Sequence, residues 1–64
     1  MAHIIKIKNP NIPYVEIWDD AFDEPTINAI TEWVHQNNLG RRTAYNGWHL
    51  NSLHAVAQFV LKWG

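Results

Sequence analysis

The chain has 64 residues, one net negative charge at neutral pH, and no cysteine. That length admits one domain, residues 1–64, and the missing thiols exclude a disulfide framework, a thiolate nucleophile and a zinc–thiolate site. A near-neutral balance weighs against a protein held to duplex nucleic acid by phosphate contacts. A chain this short hides only about 60% of the surface that its unfolded form exposes. Four Trp, two Tyr and two Phe are a large aromatic stock for so small a core, so some of these rings are expected to meet another subunit, a ligand or a partner.

In chain order, His3 to Lys8 alternates and is rich in Ile, which predicts a strand. Asn9-Pro10-Asn11-Ile12-Pro13 breaks it, since proline denies backbone donors. Tyr14 to Trp18 reads as a second strand, with Tyr14, Glu16 and Trp18 on one face and Val15 and Ile17 on the other. A long helix follows at about 24–38. Asp23 is its N-cap candidate, Glu24 and Pro25 stand in its first turn, Ile27, Ile30 and Val34 form its apolar stripe, and Gly40 fits a left-handed stop. Residues 41–45 and 48–50 flank Asn46-Gly47, the strongest short hairpin signal. Asn51-Ser52 can cap a short second helix, about 52–57, carrying Leu53 and Val56.

Residues 58–63 fit two patterns. Leu53, Val56, Ala57 and Val60 continue a helical stripe, whereas Phe59, Leu61 and Trp63 alternate as a strand. The strand is favoured here because it widens the sheet that the long helix covers. The expected fold is an α+β two-layer domain with a small, mainly antiparallel sheet, in the order β-β-α-β(-β)-α-β.

The segment richest in recognition chemistry is Gly40-Arg41-Arg42-Thr43-Ala44-Tyr45-Asn46-Gly47-Trp48-His49. Arg41 and Arg42 are suited to an anion, Tyr45 and Trp48 to a base or a partner's apolar surface, and His49 lies beside them. The same residues also have a purely structural reading. Arginines after a helix C-terminus complement its dipole, and alternating rings fill a hairpin face.

The acidic run Asp19-Asp20-Ala21-Phe22-Asp23-Glu24 reads first as a helix start rather than a Mg²⁺ site or a phosphate mimic. His3, His35, His49 and His54 have no zinc-motif spacing, and Ser52 lacks a nucleophile elbow. No catalytic residue, metal ligand or cofactor is therefore assigned. The longest apolar runs are too short to span a membrane, and the start of the chain lacks the pattern of a signal peptide. The expected location is the cytoplasm.

The ending Trp48-His49-Leu50 and Ala55-Val56-Ala57-Gln58-Phe59-Val60-Leu61-Lys62-Trp63-Gly64, together with Glu32-Trp33-Val34, resembles small accessory proteins of tailed bacteriophages. The resemblance implies a viral protein acting in the host cytoplasm, in a class that includes inhibitors of host enzymes and antagonists of host defence. The function expected is non-catalytic binding by a homo-oligomer, either inhibiting a host protein or sequestering a small nucleotide-like ligand through Arg41, Arg42, Tyr45, Trp48 and His49. The alternatives are a structural or assembly subunit without a ligand, and a minimal metal-dependent hydrolase using the acidic run.

Overall fold

A computed structural model describes residues 3–19 and 23–64. Asp20, and with it the middle of the acidic run, lies outside the described residues. The elements are β1 (Ile5–Lys6), β2 (Tyr14–Ile17), α1 (Glu24–Gln36), β3 (Gly40–Ala44), β4 (Gly47–Leu50) and α2 (Leu53–Trp63). The sheet is antiparallel in the order β1-β2-β4-β3. Both helices pack against one face of it, giving the expected two-layer α+β domain.

α1 begins where the Asp23 side chain accepts a bond from the Thr26 N–H at 3.0 Å, which satisfies one of the donors a helix start leaves open. Ile27, Ile30 and Val34 form its buried stripe. Its end differs from expectation. The left-handed residue is Asn38, at φ 56°, with Leu39 N–H bonded to Val34 O at 3.0 Å and Asn38 N–H to His35 O at 3.1 Å. This is a Schellman closure with asparagine in place of glycine. Gly40, at φ 154°, instead starts β3, where a Cβ would collide with the His49 carbonyl oxygen and lie 2.6 Å from Leu50 Cα.

The hairpin turns at Tyr45-Asn46, with Ala44 paired to Gly47 and an extra residue at Thr43 on β3. Neither turn residue has positive φ, so the mirror-image turn associated with Asn-Gly is not used.

The largest correction is at the tail. Residues 58–63 are not a strand: α2 runs unbroken from Leu53 to Trp63, capped by Ser52 Oγ accepting from Ala55 N–H at 3.1 Å. A strand would have set Phe59 and Leu61 on one face, yet Phe59 is 0% exposed and Leu61 87%. Neither Gly nor Pro interrupts the segment. A sheet of four strands is also too wide for one helix to cover, so the second helix completes the layer.

The core between the layers is Val15, Ile17, Trp48 and Leu50 from the sheet, Ile27, Ile30 and Val34 from α1, and Ala55, Val56 and Phe59 from α2. The Trp48 ring lies 5.7 Å from Phe59, and Trp33 meets Phe59 and Trp63 edge-on at 6.1 and 6.0 Å. His3 N–H donates to Trp63 O at 2.8 Å, which brings the two ends of the described chain side by side.

Candidate functional site

Both helices lie on one face of the sheet. Among the described residues no element covers the other, open face, and cross-strand register decides what stands there. Directly opposed residues of antiparallel strands share a face. Tyr14 pairs with His49, and His49 with Arg41. Lys6 pairs with Glu16. The open face therefore carries a row across the strands: Lys6, Glu16 and Trp18, then Tyr14, His49 and Arg41.

Neighbouring bonds hold this row in place. Tyr14 O–H donates to Glu16 Oε2 at 2.8 Å, and Trp18 Nε1–H donates to Glu16 Oε1 at 3.0 Å. Lys8 Nζ lies 3.4 Å from Glu16 Oε1, and Lys6 Nζ sits 5.1 Å from the centre of the Trp18 ring. The Tyr14 and His49 rings meet at 4.5 Å, and His49 Nδ1 is hydrogen-bonded to Thr43 Oγ1 at 2.7 Å. Gly47 makes room for this arrangement: a Cβ there would strike the Tyr14 hydroxyl and lie 2.8 Å from the ring carbon that bears it.

The electrostatics centre on Glu16, a buried carboxylate among donors. Bonds from Trp18 and then Tyr14, with help from Lys8, hold its carboxyl below the ordinary range, although burial pushes the other way. The Tyr14 phenol is raised by burial first, then by its bond to Glu16 and the negative charge there. Among the described residues, Lys6, Lys8 and Arg41 stand against a single carboxylate that is already engaged, so this part of the face is locally cationic on a chain of net charge −1.

The expected site residues separate. Arg41 and His49 come together on the open face. Arg42 pairs with Trp48 and belongs to the opposite face, at the sheet edge, so the two guanidinium groups cannot grip one anion together. Tyr45 stands at the hairpin tip, 63% exposed. Trp48 cannot stack on a ligand: it is 0% exposed, at the centre of the core, and its Nε1–H donates to Thr31 Oγ1 at 3.2 Å. As the largest fully buried side chain, it gains more from leaving water than any exposed ring contact would return.

Tyr14, Glu16 and Trp18 were not among the residues assigned. Their signal was the i, i+2 alternation on β2, which gave their common face but not that this face stays uncovered.

A shallow cleft of about 420 Å³ borders the row, lined by Asn38, Gly40, Arg41, His49, Leu50 and Asn51. Asn51 closes one wall, with its N–H bonded to Leu39 O and its Nδ2–H to Asn38 O, both at 2.6 Å. The acidic run serves local structure where it is described. Asp19 is bonded to His3 Nδ1 at 2.6 Å, and Asp23 caps α1. Among the described residues, no three His, Asp or Glu side chains converge on a point that could hold a metal ion, and no helix is long and apolar enough to cross a membrane. No protein-family model, curated protein or solved structure matches the chain.

Proposed function

We propose that this chain is a non-catalytic binding domain, a phage-type accessory or anti-defence factor, that acts as a homo-oligomer and occupies a surface of a host protein with its open sheet face. One observation carries the reading: Trp18, Glu16, Tyr14, His49 and Arg41 follow one another on the uncovered face, with Trp18 and Tyr14 held by bonds to Glu16, His49 by its bond to Thr43, and Arg41 placed beside His49 by strand register. Aromatic rings and arginine are the types that dominate interface energetics, and a row fixed before binding loses little side-chain freedom on docking. Lys6, Lys8 and Arg41 favour an acidic surface on the partner.

The test is affinity capture from host lysate with wild-type chain, Arg41→Glu, Trp18→Ala and, as a control on the other sheet face, Arg42→Glu. The expected result is a partner retained by wild type and Arg42→Glu. Its affinity should fall at least about 30-fold, the scale of a 2 kcal/mol anchor, for Arg41→Glu and Trp18→Ala. Equal capture by all four proteins would overturn the reading.

The cleft beside Arg41 and His49 supports a second reading, capture of a small nucleotide-like ligand. It predicts a thermal shift with cyclic or linear nucleotides that is lost in Arg41→Ala and kept in Arg42→Ala.

A further inference from the structure

The faces of α2 raise a separate question. Read at a spacing of four residues, the helix has four ridges: Ala55-Phe59-Trp63, Val56-Val60, Leu53-Ala57-Leu61 and His54-Gln58-Lys62. The first enters the core, together with Val56. Only the last is polar. Leu53, Val60 and Leu61 are exposed at 52%, 38% and 87%, so the apolar arc extends well past what the sheet covers. A helix that is apolar over most of its circumference belongs in contact on both sides. The exposed part continues into an apolar cleft of about 550 Å³, closed on its far side by Ile7, Pro10 and Ile12 of the segment between β1 and β2. None of the cleft's lining residues is charged.

We propose that this surface binds a second copy of the chain, α2 against α2 across a two-fold axis through Ala57. Two observations select that occupant. First, the outward ridge is symmetric about Ala57: a two-fold contact pairs Leu53 of one copy with Leu61 of the other and each Ala57 with its equivalent, which is the self-matching an isologous interface requires. Second, the small residue stands at the crossing point, where the two helices approach most closely. Leu61, the most exposed apolar side chain, then becomes a knob beside a cleft that its counterpart can fill. The apolar patch forms the centre of the contact, and His54 and Gln58 flank it on the neighbouring ridge of α2. The patch also holds no charge that would select a charged partner.

The inference specifies the homo-oligomer of the proposed function but uses a different surface from the binding row, so the two can fail independently. Sedimentation velocity of the untagged chain at about 100 µM is expected to give a species of twice the 7.5 kDa monomer mass. Leu61→Asp, at a position exposed in the monomer, costs its fold only the modest penalty of a negative charge in a helix's last turn, and should raise the dissociation constant at least about 100-fold, because a carboxylate would enter an apolar contact. Its far-ultraviolet circular dichroism should be unchanged.

Because the chain has no cysteine, Ala57→Cys provides a positional check. Mild oxidation should join two copies through that residue, as Cα atoms at the crossing fall within the roughly 4.4–6.8 Å that a disulfide spans, whereas Glu32→Cys on α1 should stay monomeric under reducing-free electrophoresis. A monomeric wild-type chain at that concentration overturns the proposal. So does a dimer that survives Leu61→Asp, a failure of Ala57→Cys to cross-link, or a monomer that sediments instead with phosphatidylcholine vesicles. Host-partner capture that persists in monomeric Leu61→Asp would leave the host-binding part of the proposed function standing without the oligomer.

Discussion

Glu16 is the residue on which the open face depends. Its carboxylate accepts from two aromatic donors and faces a lysine, so its proton affinity in the folded chain lies below that of the unfolded one. The resulting stability is present at neutral pH and is lost as pH falls through the folded value, beneath the ordinary carboxylate range. Replacing Glu16 with Gln should lower the unfolding free energy by about 1.5–3 kcal/mol at pH 7, the scale of hydrogen bonds to a charged group. Urea titrations at several pH values should show the gap closing below about pH 4. A gap independent of pH would mean that the charge contributes nothing. Tyr14 has the opposite sign: its raised phenol stabilises the fold below its ordinary value of 10.0, and this contribution fades as pH rises above it. Residue roles were only partly legible in the sequence. Asp23 and Ser52 announced themselves as caps, because a short acceptor before an apolar stripe has few other uses. Trp48 did not, since an indole serves a core or a ligand equally well until the register of its strand is known.

At the scale of elements, β2 and β4 are matched by a missing side chain. Gly47 leaves the space that the Tyr14 ring fills, and the methyl of Gly47→Ala would displace that ring and break its bond to Glu16. The cost should be about 1–3 kcal/mol, as for other overpacked contacts. In a Tyr14→Ala background it should shrink by at least about 0.5 kcal/mol, which a double-mutant cycle by chemical denaturation measures. Additive costs would show that the glycine serves its own backbone instead. The elements legible beforehand were those with local punctuation: α1 from its Asp23 cap, although its stop reads at Gly40 and falls at Asn38, and the hairpin around Asn46-Gly47. The tail was misread because the i, i+2 set Phe59, Leu61 and Trp63 imitates a strand. In fact α2 is apolar on several ridges at once, and alternation cannot be told from a helix so widely apolar.

For the whole molecule, the proposed association is linked to folding. Among the described residues, ten buried apolar side chains form the core, and a second copy over α2 would add to it. If two copies fold together, the melting temperature should rise with protein concentration in wild type and stay constant in Leu61→Asp, as differential scanning calorimetry over a hundredfold concentration range would show. The two-layer architecture was legible from the alternating pattern of strands and helices. Which sheet face stays bare was not, because that depends on both helices choosing the same side. The bond from His3 to Trp63 also has a mechanical meaning. Pulled by residues 3 and 63, the molecule is loaded like a zipper at one point, since those residues lie side by side. Force would peel β1 and the last turn of α2 before it shears any strand.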